Sequence, residues 1–83
     1  MQEKASALGR AGEKLETALN RFRQARQENM PAAQLNDLCV DAATRLWVLA
    51  VQRESLGFVQ DNEKWLKECY QVPAEIWRQF RRL

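Results

Sequence analysis

Leu46-Trp47-Val48-Leu49-Ala50-Val51 is the longest uninterrupted apolar run in the chain. It lies inside a segment from about Pro31 to Leu56 that has no breaker, so the run reads as the middle of a long helix. A helix lying on the surface of a globule carries one apolar stripe. This one carries two. Leu35, Leu38, Ala42, Leu46 and Leu49 follow one another at helical spacing, with Leu56 extending them, and Val40, Ala43, Trp47 and Val51 form a second set offset around the axis. The segment is therefore expected to be covered from two sides, with the rest of the chain organised around it.

Before it, Glu28-Asn29-Met30-Pro31 reads as a turn, because proline is preorganised to open a helix and disfavours helix in the residue preceding it. From Gln2 to Asn29 nothing stops a helix. Leu8, Leu15 and Phe22 recur every seven residues, Ala11, Ala18 and Ala25 fall three after each, and Gly12 and Leu19 complete the stripe. Small residues alternating with large ones allow close approach of a second backbone. A connection this short makes the two helices antiparallel neighbours, each about 40 Å long at 1.5 Å per residue. Gly9 and Gly12 weaken the first turns by roughly 1 kcal/mol each relative to alanine. Gly12 is read as a packing contact.

After it, Gly57 is placed to close the helix in a left-handed cap. Phe58 and Val59 read as an apolar connector, and Asp61 as the N-cap of a third helix over about Asn62 to Gln71. Trp65, Leu66, Cys69 and Tyr70 are expected inward on that helix, with Glu63–Lys67 and Lys64–Glu68 as surface pairs. Pro73 and Glu75 open a fourth helix anchored by Ile76, Trp77 and Phe80. The fold class is all-α: a long antiparallel helical hairpin plus two short C-terminal helices, in one domain spanning 1–83.

Eighty-three residues, 46% apolar and 29% charged, describe an ordered chain with a thin margin of stability. The excess helix length and the two-sided second helix point to pairing with a second copy in a dimeric bundle, through Leu8, Leu15, Phe22, Val40, Trp47 and Val51. An unidentified protein partner would serve the same surface. The net charge of +2 is spread thinly, six cations against four carboxylates before Pro31 and five against four after Gly57. That balance does not demand a polyanion.

No histidine is present, and Cys39 and Cys69 stand in no paired spacing, so neither a metal site nor a disulfide framework is indicated. Both cysteines read as buried structural residues. Asp37 and Asp41 lack a third ligand, and Asp41 has Arg45 one turn on as an ordinary ion-pair partner. No phosphate-cradling glycine loop occurs. Catalytic, cofactor and metal sites are therefore expected to be absent. No run approaches the roughly 20 apolar residues of a membrane span. No signal peptide is discernible, and a reducing, cytoplasmic setting is expected.

Two resemblances add to this reading. Lys67-Glu68-Cys69-Tyr70-Gln71-Val72-Pro73-Ala74-Glu75-Ile76-Trp77-Arg78-Gln79-Phe80-Arg81-Arg82 resembles a helix-turn-helix, in which the second helix enters the major groove of DNA. The likeness implies Ala74, Glu75, Arg78 and Arg82 as its contact surface. The chain departs from that pattern where Gln71 replaces the usual turn glycine, Lys67 replaces a small residue, and the second helix runs out at Leu83. A nucleic-acid reading would recruit Arg21, Arg23, Arg26, Arg78, Arg81 and Arg82. For the cluster Arg21 to Arg26, favourable charge at a helix C-terminus is the preferred explanation. The opening Gln2-Glu3-Lys4-Ala5-Ser6-Ala7-Leu8-Gly9-Arg10-Ala11-Gly12, with Val51 to Glu54 and Val72-Pro73, is similar to a small family of bacterial all-helical proteins of unknown function, which implies no activity.

Overall fold

In the computed structural model, residues 2–57 and 62–83 are described, with side chains from residue 8 onward in the first helix. Four helices follow in order: α1 (Gln2–Gln27), α2 (Ala32–Ser55), α3 (Asn62–Tyr70) and α4 (Ala74–Phe80). The connector residues Phe58 and Val59 and the N-cap Asp61 lie outside the described residues.

The reversal between α1 and α2 is closed by backbone chemistry. Asn29 takes the left-handed conformation (φ 55°), Met30 N–H donates to the Ala25 carbonyl at 3.0 Å, and Asn29 N–H donates to the Arg26 carbonyl at 3.2 Å. This double bond pattern is the Schellman closure, with asparagine in the position glycine usually fills. Pro31 then serves as N-cap, one position earlier than expected. Its ψ of 148° is extended while its carbonyl already accepts Leu35 N–H at 3.0 Å. Pro73 opens α4 in the same way. At the far end of α2, Gly57 adopts φ 98°, the left-handed cap that its place in the sequence called for.

The core sits between α2 and everything else. Leu15 and Leu19 of α1, Leu46 and Leu49 of α2, Leu66 of α3 and Ile76 of α4 are fully buried. Each such side chain contributes about 1.5–3 kcal/mol of transfer free energy. α2 packs against α1 and against α4, and more lightly against α3, while α1 also reaches the α3–α4 turn through Arg23 and Arg26. The alanines at 11, 18 and 25 on α1 and at 42, 43 and 50 on α2 are buried as well, which lets the helix axes approach closely. The hairpin sets the long dimension of a body measuring 42 × 23 × 20 Å.

Three expectations are corrected. Cys69 is exposed, although it lies one turn from the buried Leu66. The second stripe of α2 divides: Ala43 joins the core, whereas Trp47 and Val51 are 49% and 38% exposed and Val40 is half-buried. Of the two surface pairs expected on α3, Lys67 Nζ to Glu63 Oε1 is present at 3.7 Å. Lys64 and Glu68 form no ion pair among the described residues.

Candidate interaction surfaces

Three surfaces can be built from these elements. The first is the outer flank of α2. Residues 40, 44, 47 and 51 recur at helical spacing, so they line one strip of the helix, and the core-facing strip on the opposite side is already taken by α1 and α4. Thr44 lies within it, its hydroxyl donating to the Val40 carbonyl at 2.9 Å. That bond satisfies the hydroxyl inside the helix, leaving a strip with no unmet polar side-chain group. Of the six interface candidates, Val40, Trp47 and Val51 remain at the surface. Leu15 and Phe22 do not: at 0% and 4% exposure they are closed off within the chain's own core, beneath α2 and its neighbours. Leu8 is half-buried and packs against that core. The heptad spacing of α1 reflects burial against α2, which accounts for it without a second subunit.

The second surface is the junction of α1 with the α3–α4 turn. Gln71 adopts φ 51°, and its N–H donates to the Lys67 carbonyl at 3.0 Å, closing α3 in a left-handed cap. Arg23 reaches across from α1, and its Nη2 donates to the carbonyls of Tyr70 and Gln71, each at 2.9 Å. One guanidinium thus fixes the turn that carries α4. Arg26 forms an ion pair with Glu75 and lies over the Phe22 ring at 5.0 Å. The Glu75 carboxyl is held below its usual range by its own backbone N–H, with Arg26 and Arg78 adding to the effect. Cys39 donates its thiol hydrogen to the Glu75 carbonyl at 3.5 Å, and burial together with the Glu75 charge pushes that thiol up.

The third comprises the arginines. Arg81 Nη2 contacts Glu63 Oε1 at 2.8 Å, tying α4 to α3. Arg21 opens on the other flank of α1, in a groove shared with Arg10, Lys14 and Arg45 that Glu13 and Asp41 also line. The six arginines of the nucleic-acid reading are thus divided: Arg23, Arg26 and Arg81 hold elements of the fold together, Arg21 faces elsewhere, and Arg78 on α4 and Arg82 in the turn beyond it stand exposed. α4 itself is seven residues long and turns Ile76 and Trp77 into the core. The contact residues implied by the helix-turn-helix likeness fare similarly, since Glu75 is occupied by Arg26.

One structural arginine escaped the sequence reading. Arg53 is 8% exposed, with its guanidinium over the Trp65 ring at 3.6 Å and Nε donating to Asn62 Oδ1 at 2.9 Å. Its position on the Leu46 and Leu49 side of α2 was a usable signal, since a long cationic side chain can lay its stem along apolar surface.

No group of three or more potential metal ligands occurs among the described residues, and no described helix is long and apolar enough to cross a membrane. Set against known protein families, characterised proteins and solved structures, the chain matches none.

Proposed function

We propose that this protein is a small, non-catalytic self-association module that pairs two copies through the outer flank of α2. The observation that carries the reading is Trp47, a large aromatic side chain left 49% exposed between Val40 and Val51 on an otherwise well-packed helix. Tryptophan is enriched where interfaces concentrate their binding energy. Sequence register supports a two-fold arrangement. About a midpoint between Arg45 and Leu46, an antiparallel crossing sets Val40 opposite Val51 of the second copy and Thr44 opposite Trp47. Because the Thr44 hydroxyl already bonds within its helix, this pairing strands no polar group.

The patch is small, and the dimer is accordingly weak. An exposed half of an indole presents about 100 Å², so two rings contribute about 5 kcal/mol at 25 cal/mol per Å² before the entropy of association is subtracted. Sedimentation velocity of the full chain between about 10 and 500 micromolar tests the reading, the range in which so small an interface associates. A sedimentation coefficient that climbs with concentration toward that of a dimer supports it, and a strict monomer throughout refutes it.

A further inference from the structure

The face formed by α3 and α4 contains a hollow that the self-association reading does not use. Lys67, Val72, Ala74, Trp77, Arg78 and Arg81 line a space of about 460 Å³, within the size range of small-molecule sites. Val72 and Ala74, with the small exposed part of Trp77, supply an apolar floor; Lys67 Nζ lies over the Trp77 ring at 5.4 Å, and Arg78 and Arg81 complete the lining. No carboxylate lines it. Glu63 stands at the edge, its Oε1 held by Arg81 at 2.8 Å and Lys67 at 3.7 Å. One carboxylate offsets one of these two charges, and the same contacts place a carboxylate at the rim. Arg78 is exposed and makes no ion pair among the described residues, so three cations face one carboxylate and Arg78 is the one left to anchor a ligand. Trp77 is only 4% exposed, yet its Nε1–H has no acceptor among the described residues. The hollow therefore combines a spare cation with an apolar bed, and the Trp77 indole N–H is buried behind it.

We infer that this hollow binds a small organic monoanion, an apolar body bearing a single carboxylate, with the head group on Arg78 and the body against Val72, Ala74 and Trp77. A planar carboxylate matches the fork of a guanidinium. Glu63 already occupies Lys67 and Arg81, which leaves the Arg78 guanidinium as the anchor for a single head group. A carboxylate with a body of roughly ten carbon atoms fits a site of this size.

The test follows the three indole N–H resonances of the uniformly nitrogen-15-labelled full chain during titration with 4-phenylbutyrate, and with 4-phenyl-1-butanol as the neutral counterpart. Saturable movement of the Trp77 resonance is expected at low millimolar carboxylate, while Trp47 and Trp65 act as internal controls. The alcohol, and the carboxylate with Arg78→Gln, are each expected to bind about fivefold or more weakly, the loss of one charge-assisted contact. Arg78→Lys, which keeps the charge, is expected to recover part of the affinity. Unmoved control resonances in Arg78→Gln establish that the variant is folded. No saturable shift of Trp77 by about 10 millimolar, in a range where even a weak site responds, overturns the inference. So does equal binding of the alcohol, indifference to Arg78→Gln, or a Trp77 response to a DNA duplex at low salt with none to the carboxylate.

Discussion

Gly12 places the packing of α1 against α3 under a test whose sign depends on one oxygen atom. A Cβ built at Gly12 would stand 2.5 Å from the Tyr70 hydroxyl oxygen and 3.6 Å from the ring carbon that bears it. The first distance is a clash and the second an ordinary contact. Gly12→Ala acts in two opposed ways. In the interior of an exposed helix the exchange favours folding by about 1 kcal/mol, since alanine loses less backbone entropy. Here the tyrosine must retreat by about 1 Å, and forcing an extra methyl into packed surroundings costs about 1–3 kcal/mol. Its freedom to retreat is limited. The ring lies edge-on to Trp65 with centroids 6.0 Å apart, and its own carbonyl is held by Arg23. The expected net effect of Gly12→Ala alone is a destabilisation of about 1 kcal/mol, a fall in Tm of roughly 4–8 °C for a domain of this size. In a Tyr70→Phe background the obstructing atom is gone, and the same substitution is expected to stabilise by about 0.5–1 kcal/mol. Urea unfolding followed by tryptophan fluorescence measures all four proteins of the cycle. If Gly12→Ala has the same sign in both backgrounds, the hydroxyl is not what requires glycine, and the reasoning fails.

Other consequences can be checked with similar means. Gln71→Gly is expected to raise stability by about 1 kcal/mol, because a residue with a side chain is disfavoured by roughly that amount in the left-handed region it occupies; unchanged or lowered stability in urea would count against the φ of 51°. The Glu75 carboxyl has a folded-state pKa below its usual 4.5, so the stability it contributes is present above that pH and is lost as pH falls through the folded value. Acid titration of stability should therefore show a decline below 4.5 that Glu75→Gln makes shallower, and identical profiles would exclude this carboxylate as a source. Towards a thiol-specific disulfide reagent, Cys69 should react rapidly in the folded protein. Cys39, buried and with its thiolate disfavoured, should react only as the protein opens. Two equally fast thiols would contradict that placement.

Much of the architecture was legible because it rests on local signals. Pro31, Gly57 and Pro73 punctuate the chain so clearly that four helices emerge within a residue or two of their positions, and the alternation of Leu15, Ala18, Leu19, Phe22 and Ala25 marks the face of α1 that is buried. Less legible was the destination of each face. Leu8, Leu15 and Phe22 have the period of an intersubunit seam, but that period describes equally well a helix lying along its partner within one chain, and only the packing distinguishes the two. Gln71 in a left-handed conformation carries no signal comparable to glycine, since Arg23 secures that turn from a helix 47 residues away in sequence. The pairing of Arg26 with Glu75 and of Arg81 with Glu63 is likewise tertiary, so a run of arginines that reads as a basic cluster separates into fasteners and a few exposed cations. The hollow between α3 and α4 draws on residues from Lys67 to Arg81 that share no sequence period.

The proposed self-association rests on the outer flank of α2, and Trp47→Lys addresses it most directly. The wild-type chain and the variant are to be compared by sedimentation velocity, with helicity and urea unfolding recorded on the same samples. A half-exposed indole contributes little to the monomer's own core, so the variant should remain folded, with stability within about 1 kcal/mol of the wild type. It should also sediment as a monomer at concentrations where the wild type associates. Outright unfolding of Trp47→Lys would show that this residue belongs to the core, and a variant that associates as strongly as the wild type would show that the interface lies elsewhere.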